Sequence, residues 1–315
     1  MEGIDIVEQH IADRSLDLLK ILLKDKTTGK YIRWATDNYS SNGVEYKPEE
    51  EMKPSLIIGN MTDVIQPRVS KSVEEQVRRT KKKAEVFTPT WIVNQQNNLV
   101  DEAWFGRPDI FNIAEGNTWK TNEEKIAFPD GKDWKKYVDS KRLEISCGEA
   151  PYLVSRYDAV TGETIPVKDR VGFLDRKLRV INENIENETE WDKWVIRAFQ
   201  SIYGYEFQGD NVLLARENLL YTYWDNMVYK FGKDPSLMQQ KKIANIVSWN
   251  IWQMDGITMT VPYSEVKSEF NQITLFDLYG WGNQEQEDNN EAIPCKIFDW
   301  RSNESIEFRS MMKEG

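Results

Sequence analysis

The sequence predicts an α/β protein built on a doubly wound, mostly parallel sheet. Three segments combine a strand-like apolar run with a turn that ends on an acid or a glycine: LEISCGEAP at 143–151, SIYGYEFQG at 201–209 and KIANIVSWNIWQMDG at 242–256. Helical patterns separate them, and strands that alternate with helices are typical of a parallel sheet. A fourth segment, CKIFDWRSN at 295–303, is predicted to add a further strand.

Residues 1–83 are predicted to form a separate, small and mainly helical section. SLDLLKILLKD at 15–25 places Leu16, Leu19, Leu22 and Leu23 on one side, which is typical of an amphipathic helix. YIRWATDNY at 31–39 is predicted to form a short strand that leads into a polar loop.

Residues 84–315 are predicted to form the main domain. A helix is expected from about Thr90 to Val100, because Pro89 disfavours helix before it and suits the first turn after it. Residues 140–157 are predicted to contain a strand, a glycine turn and a helix. A long charged crossover at about 158–200 is predicted to hold two helices. The polar tract at 283–291 is predicted to be a mobile loop.

Composition limits the possible functions. The chain has 315 residues, 40% of them apolar, and its 12 tryptophans can supply a substantial core. It shows neither a leader pattern nor an apolar run long enough to span a membrane, so we expect a cytoplasmic protein with no membrane partner. Cys147 and Cys295 do not form a disulfide framework and, with His10 as the single histidine, provide no metal site. The single histidine also excludes most histidine-base mechanisms, which leaves carboxylates, amides, backbone dipoles or a cofactor.

A cluster of basic residues interrupts an otherwise acidic chain. The net charge of -11 argues against nucleic-acid binding over the whole surface. RRTKKKAE at 78–85 nevertheless concentrates five basic side chains in six positions. Two interpretations stay open, a solvated helix face or a patch that binds DNA phosphates. The five candidates for DNA binding are Arg78, Arg79, Lys81, Lys82 and Lys83.

Glu206 stands at the end of a strand-like run and directly before a helical pattern that begins near Asp210. In an α/β sheet, ligands bind in the crevice beyond the carboxyl ends of the strands. A carboxylate at that place can accept hydrogen bonds from both hydroxyls of a ribose. Glu206 is therefore predicted to bind a sugar.

Four segments follow one another in an order that is typical of one family. They are VFTP at 86–89, LEISCGEAPYL at 143–153, IYGYEFQGDNVLLARENLL at 202–220 and NIWQMDG at 250–256. In this order they resemble the S-adenosylmethionine-dependent DNA amino-methyltransferases, in particular the modification subunits of restriction systems that methylate adenine N6. The second segment is similar to the family's glycine-rich cofactor loop. The third is similar to the strand with the ribose-binding acid and the helix after it.

The resemblance implies a Rossmann-like methyltransferase domain that binds S-adenosylmethionine and acts on DNA, as part of an assembly with a second methyltransferase or a specificity subunit. It implies a cofactor site in which Phe87, Thr88 and Pro89 contact the methionine part, Glu144, Cys147 and Gly148 form the loop, Glu206 binds the ribose, Phe207 packs on the adenine, and Asp255 with Gly256 binds its amino group. Ile257 would supply a second apolar wall for the adenine.

The sequence departs from this family at two places. Ala150 and Pro151 replace small glycines, which narrows the approach of the loop to a cofactor. The family's Pro-Pro-aromatic segment, which clamps a flipped base, does not occur. Asn303 is the candidate catalytic residue that accepts the target amine, but Glu304 follows it, and no recognition domain is expected after it.

Three hypotheses on function stay open. The chain is a subunit that contributes a cofactor-binding half to a larger methyltransferase, or a catalytically silent binding or regulatory module, or a shortened methyltransferase that works alone with Asn303 or Trp300 at the amine. Each segment also has an ordinary structural interpretation. Phe87 and Trp252 would be core aromatics, Glu206 a charge at the start of a helix, and Asp255-Gly256 a hairpin turn.

Overall fold

The computed structural model describes residue 4 and residues 6–83, 88–264 and 292–313. Its helices are α1 (Glu8–Arg14), α2 (Leu16–Leu22), α3 (Val73–Lys83), α4 (Thr90–Phe105), α5 (Trp134–Asp139), α6 (Phe173–Asn184), α7 (Glu188–Gln200), α8 (Gly209–Phe231) and α9 (Leu237–Asn250). Its strands are β1 (Asn112–Glu115), β2 (Thr118–Thr121), β3 (Arg142–Glu144), β4 (Ile202–Glu206), β5 (Ile251–Gln253), β6 (Lys296–Asp299) and β7 (Glu304–Glu307).

The centre of the fold is a parallel sheet with the strand order β3-β4-β5. Gly204 in β4 pairs with Glu144 on one side and with Ile251 on the other. Helices α6 and α7 connect β3 to β4, and α8 and α9 connect β4 to β5. Parallel strands need such crossovers, because the chain must return to the same end of the sheet before each new strand. The predicted mixed α/β fold with a parallel sheet is therefore confirmed.

The predicted fourth strand does not join this sheet. β6 forms an antiparallel hairpin with β7, in which Phe298 pairs with Ser305 and Asp299 with Glu304. Asn303 lies in the hairpin turn with a φ of 60°, and its N–H donates to the carbonyl of Asp299. Asparagine tolerates this left-handed conformation better than most residues do, so the local sequence favours a reversal of the chain over a continued crossover.

The two helices predicted in the crossover at 158–200 are confirmed as α6 and α7. The helix predicted directly after the glycine turn is absent, since residues 148–149 and 151–153 form turns. Ala150 takes a left-handed φ of 64°, and Pro151 follows it without a backbone N–H to donate. The tract predicted as mobile at 283–291 lies outside the described residues.

The section before residue 84 packs into the same core as the sheet. The predicted helix at 15–25 is confirmed as α2, whereas the predicted strand at 31–39 forms only isolated bridges, Lys24 with Tyr31 and Arg33 with Glu51. Buried leucines of α2 belong to one apolar cluster with residues of α7, α8 and α9. The Gln253 side chain also forms two hydrogen bonds with the backbone of Arg33. It accepts from the N–H at 2.8 Å and donates to the carbonyl at 2.8 Å.

Helix α8 runs through the middle of the molecule. Its side chains are buried from Gly209 to Trp224, and it begins directly beyond β4. The helix spans 23 residues but contains charged side chains throughout. No helix within the described ranges is long and apolar enough to cross a membrane.

Gly209, the first residue of α8, allows the N-terminal section to approach this helix closely. A Cβ at this position would lie 2.0 Å from the carbonyl oxygen of Arg33 and 2.6 Å from the sulfur of Met52. We expect Gly209→Ala to lower the free energy of unfolding by about 1 to 3 kcal/mol, because backbone must move to relieve this overlap. Chemical denaturation measures the loss. Gly256→Ala is the control, since its Cβ would meet only the edge of the Tyr205 ring, and an equal loss in both variants would contradict the prediction.

Candidate functional site

A cleft of about 850 Å³ lies at the carboxyl ends of β3 and β4. This volume falls in the range of small-molecule sites, and the position is the one at which α/β sheets bind ligands. Its walls come from the two strand ends, the first turn of α8 and the N-terminal section. The residues that line it are Ala35, Thr36, Thr88, 143–148, Pro151, Tyr152, Phe173, 206–208, Asn211 and Tyr263.

Glu206 holds two neighbouring backbone segments in place at the floor of the cleft. Its Oε2 accepts from the N–H of Gly148 at 3.0 Å, and its Oε1 accepts from the N–H of Gln208 at 3.0 Å. The residue is only 7% exposed. Burial raises the pKa of the Glu206 carboxyl, while the backbone hydrogen bonds oppose that rise. Each carboxylate oxygen has two lone pairs, so both can accept a second hydrogen bond from a ligand.

Glu144 is a second carboxylate in the cleft and organises the loop after β3. It accepts from the N–H groups of Tyr152 at 3.3 Å and Leu153 at 3.2 Å. Burial raises the pKa of Glu144 well above its usual value, and the nearby Glu206 contributes to the rise. Two carboxyl groups in one cleft therefore share an environment that disfavours a second negative charge.

The loop from Ile145 to Ala150 has an unusual backbone. Ser146, Gly148 and Ala150 have φ values of 48°, 53° and 64°, all in the left-handed region. Only the middle position is glycine, so the two others are held there by their surroundings. One such restraint is the Cys147 N–H, which donates to the carbonyl of Tyr205 at 2.9 Å. The Cys147 thiol is buried, and burial raises its pKa.

Six of the predicted cofactor-binding residues line this one cleft: Thr88, Glu144, Cys147, Gly148, Glu206 and Phe207. Pro89 follows Thr88 and precedes the first residue of α4. The turn is anchored by Asp158, which accepts from the N–H of Thr90 at 2.7 Å. Phe87 lies outside the described residues.

Asp255 and Gly256 do not line the cleft, contrary to the prediction. The Asp255 carboxylate accepts from the N–H groups of Ile257 at 2.8 Å and Thr258 at 3.2 Å, and so closes its own turn. Ile257, predicted as an apolar wall, is 93% exposed. The hairpin-turn interpretation of Asp255-Gly256 agrees with this geometry, because a short acidic side chain readily accepts from the amides two and three positions later.

Asn303 is also outside the cleft, in the exposed turn between β6 and β7. Trp300, the other candidate for the amine, donates from its ring N–H to Asn250 at 2.8 Å and packs on Phe298. Neither residue is among those that line the cleft.

The basic run forms part of α3, and its members point in different directions. Arg78 and Lys81 are exposed. Arg79 is fully buried and binds the carboxylate of Asp210, so its prediction as a DNA-binding residue is wrong. Successive residues of a helix are rotated by about 100°, which places adjacent arginines on different faces. Lys82 and Lys83 lie within α3, but their side chains are outside the described part.

Asp210, which binds Arg79, is the centre of a buried ion cluster. Asp210 Oδ2 accepts from Arg79, from the hydroxyl of Tyr39 at 2.7 Å and from Lys71 at 3.4 Å. The two cations hold the pKa of Asp210 at about 2, against the effect of burial. This ion cluster attaches α3 and the Tyr39 turn to the first turn of α8, beside the cleft.

Several cleft residues, among them Thr36 and Asn211, are not among the predicted site residues. Asn211 lies five positions after Glu206 in the first turn of α8, where a helix presents side chains to the ligand edge, so this signal was available in the sequence. Thr36 belongs to an irregular stretch 170 positions before Glu206, and no local pattern marks it.

Comparisons with family models, with curated proteins and with solved structures find no match to this chain.

Proposed function

We propose that this chain binds S-adenosylmethionine in the cleft and acts as one subunit of a DNA adenine-N6 methyltransferase of a restriction-modification system. The observation that carries the proposal is that Glu206, at the end of β4, meets Glu144, Cys147, Gly148 and Thr88 in one cleft. These residues are separated along the chain, and their types suit an adenosine-based sulfonium ligand. The proposal includes a doubly wound, Rossmann-like sheet in which β3, β4 and β5 form one part.

The residues of the cleft have separate parts in holding this cofactor. Glu206 accepts from the ribose hydroxyls, and Phe207 supplies an apolar face for the adenine. Gly148 lets the loop approach closely, and Thr88 and Glu144 supply polar groups in the same cleft. Once bound, the cofactor supplies an electrophilic methyl group. The chain's own contribution is to orient that group and to exclude water from it.

A partner subunit is part of the proposal for two reasons. Asn303 stands outside the cleft, so its side-chain amide does not lie beside the methyl group of a cofactor bound there. Within the described residues β3 has only β4 as a neighbour and so stands at the edge of the sheet. The unpaired backbone groups of an edge strand are suited to pairing with a further strand. The exposed Arg78 and Lys81 are proposed to contact DNA within that assembly.

The test is tritiated methyl transfer to mixed genomic DNA, with the chain alone and with the products of neighbouring genes. We expect cofactor binding by the chain alone, no useful transfer, and transfer once the partner is present. Misplacing the target amine by about 1 Å can cost around a hundredfold in rate. Strong transfer by the chain alone that Asn303→Ala abolishes would contradict the proposal.

A catalytically silent binding module is the second candidate. It is favoured by the loop at Ala150 and Pro151, where a side chain and a proline replace the open approach of a glycine loop. Absence of both cofactor binding and transfer, with or without partners, would select this alternative.

Cofactor binding should depend on pH through Glu206. Burial raises the pKa of this carboxyl above the ordinary value of 4.5, and its protonated form can no longer accept from both ribose hydroxyls. As pH falls, we therefore expect affinity for S-adenosylhomocysteine to decrease at a pH above the ordinary glutamate range. Calorimetry across this range measures the effect. Glu206→Gln should bind weakly and with a flatter pH profile, whereas a flat profile in the parent protein would contradict the assignment.

A further inference from the structure

Two polar atoms in the wall of the cleft are buried without a hydrogen-bond partner among the described residues. They are Oγ1 of Thr36, in a residue that is 3% exposed, and Oδ1 of Asn211, in a residue that is 1% exposed. Both residues line the cleft. Almost all buried polar atoms in folded proteins have a hydrogen-bond partner, because an atom without one has lost its hydrogen bonds to water and gained none in return. Because both residues line the cleft, a ligand in the cleft is a candidate partner for the two atoms.

The two residues are held on connected, well-packed backbone. The N–H of Gly209, two positions before Asn211, donates to the carbonyl of Trp34, two positions before Thr36, at 3.2 Å. The Asn38 side chain donates to Gln208 at 3.3 Å across the same junction. The N-terminal stretch and the first turn of α8 therefore form one wall, and a site on such a support is organised before the ligand arrives.

The chemistry of the unsatisfied atoms defines what they can bind. The Asn211 oxygen is an acceptor, so the ligand must offer an N–H or O–H, and the same side chain carries an amide donor. An asparagine amide matches the amino group and the N7 acceptor of adenine. The Thr36 hydroxyl can donate to a further ring nitrogen. Phe207, beside Glu206, offers an aromatic face in the same cleft.

We propose that Asn211 and Thr36 form the subsite that recognises the adenine base of the ligand. The choice of adenine over other bases with an amino group rests on the proposed function. In this subsite Asn211 performs the recognition that the resemblance had implied for Asp255, which instead closes its own turn. In a base with a carbonyl in place of the amino group, the carbonyl oxygen would face the Asn211 oxygen, and both of these atoms are acceptors.

The test compares adenosine with inosine, in which a carbonyl replaces the amino group. We expect the parent protein to bind adenosine about tenfold more tightly than inosine, the usual discrimination of a bidentate contact. Asn211→Leu should bring this ratio close to one, and Thr36→Val should reduce adenosine affinity. Glu206→Gln, the matched control, should weaken both nucleosides and leave the ratio unchanged. Calorimetry or ligand-observed magnetic resonance gives the affinities.

A stability measurement separates recognition from a structural role. Removing an unsatisfied buried polar atom without changing the side-chain shape is neutral or stabilising. Thr36→Val and Asn211→Leu should therefore keep or raise the thermal midpoint while they lose the base preference. A large fall in the midpoint of both variants would overturn the inference, because it would show that protein groups already satisfy the two atoms.

The outcomes distinguish this inference from the function it rests on. Adenosine preference without binding of S-adenosylhomocysteine would support the subsite and reject the cofactor. Binding of S-adenosylhomocysteine with equal affinity for adenosine and inosine would support the cofactor and reject the subsite. A preference that persists in Asn211→Leu would also reject the subsite, and failure to bind any of these ligands would reject both proposals.

Discussion

Glu206→Ala is expected to weaken the binding of S-adenosylmethionine by about 2 to 4 kcal/mol. The substitution removes two charge-assisted hydrogen bonds to the ribose, each worth about 1.5 to 3 kcal/mol, and water compensates for part of the loss. It also releases the N–H groups of Gly148 and Gln208, which lie at the floor of the cleft. The loss therefore combines lost contacts with a less ordered loop. Calorimetry with S-adenosylmethionine or S-adenosylhomocysteine measures it directly.

Two controls define what this result means. Glu115→Ala changes an exposed glutamate in β1 that does not line the cleft, and it should leave affinity unchanged. Glu206→Gln keeps one acceptor and the side-chain size, so its loss should be smaller than that of the alanine variant. Equal affinity in Glu206→Ala and the parent protein would remove Glu206 from the binding site.

Asp210→Asn is expected to produce the largest loss of stability, about 3 to 5 kcal/mol. The asparagine has nearly the same shape, but it removes the negative charge that Arg79 and Lys71 share, while Glu75 still pairs with Arg79 at 3.4 Å. Removing one charge of a buried ion cluster is costly because the remaining charges lose much of their compensation without regaining hydration. Denaturant unfolding measures the loss. Asp17→Asn breaks an exposed pair with Lys241 and should cost at most about 1 kcal/mol.

The pH dependence of stability gives a second test of the ion cluster. The pKa of Asp210 is about 2 in the folded protein and 3.8 in the ordinary case, so the unfolded chain binds the proton more readily. The stability that this carboxylate contributes is therefore fully present above pH 3.8 and is lost as pH falls toward about 2. Asp210→Asn should lack this component of the acid transition. A parent-like loss of stability in the variant over that interval would contradict the role of Asp210.

The sheet and the centre of the site could be predicted because they depend on local pattern. Glu144 and Glu206 each end a strand whose neighbours along the chain read as turn and helix. Parallel pairing then places both strand ends at the same edge, so a local signal was enough to bring the two carboxylates together. Helices α6 and α7 were predictable for the same reason, since their apolar periodicity acts over a few residues.

The predicted and the observed positions differ where a local pattern has two outcomes. Asp255-Gly256 can end a strand at a ligand or reverse the chain. In the structure the Asp255 carboxylate accepts hydrogen bonds from the N–H groups of Ile257 and Thr258, which corresponds to a reversal of the chain. Asn303 likewise lies in a hairpin turn because β7 pairs with β6. In the basic run, Arg79 is buried and Arg78 is exposed, and the sequence alone did not distinguish these two neighbours.

By itself the sequence determined the parallel α/β arrangement and the acidic edge of the cleft, because hydrophobic periodicity and strand-end chemistry are properties of short segments. Only the tertiary structure decided that Thr36 closes the cleft and that Arg79 is buried against Asp210. Thr36 and Asn211 are 175 positions apart, and they line the same cleft because Gly209 lets the backbone of Arg33 approach α8. Contacts of that range depend on how the N-terminal section packs against the sheet domain, and no periodicity within either segment encodes that packing.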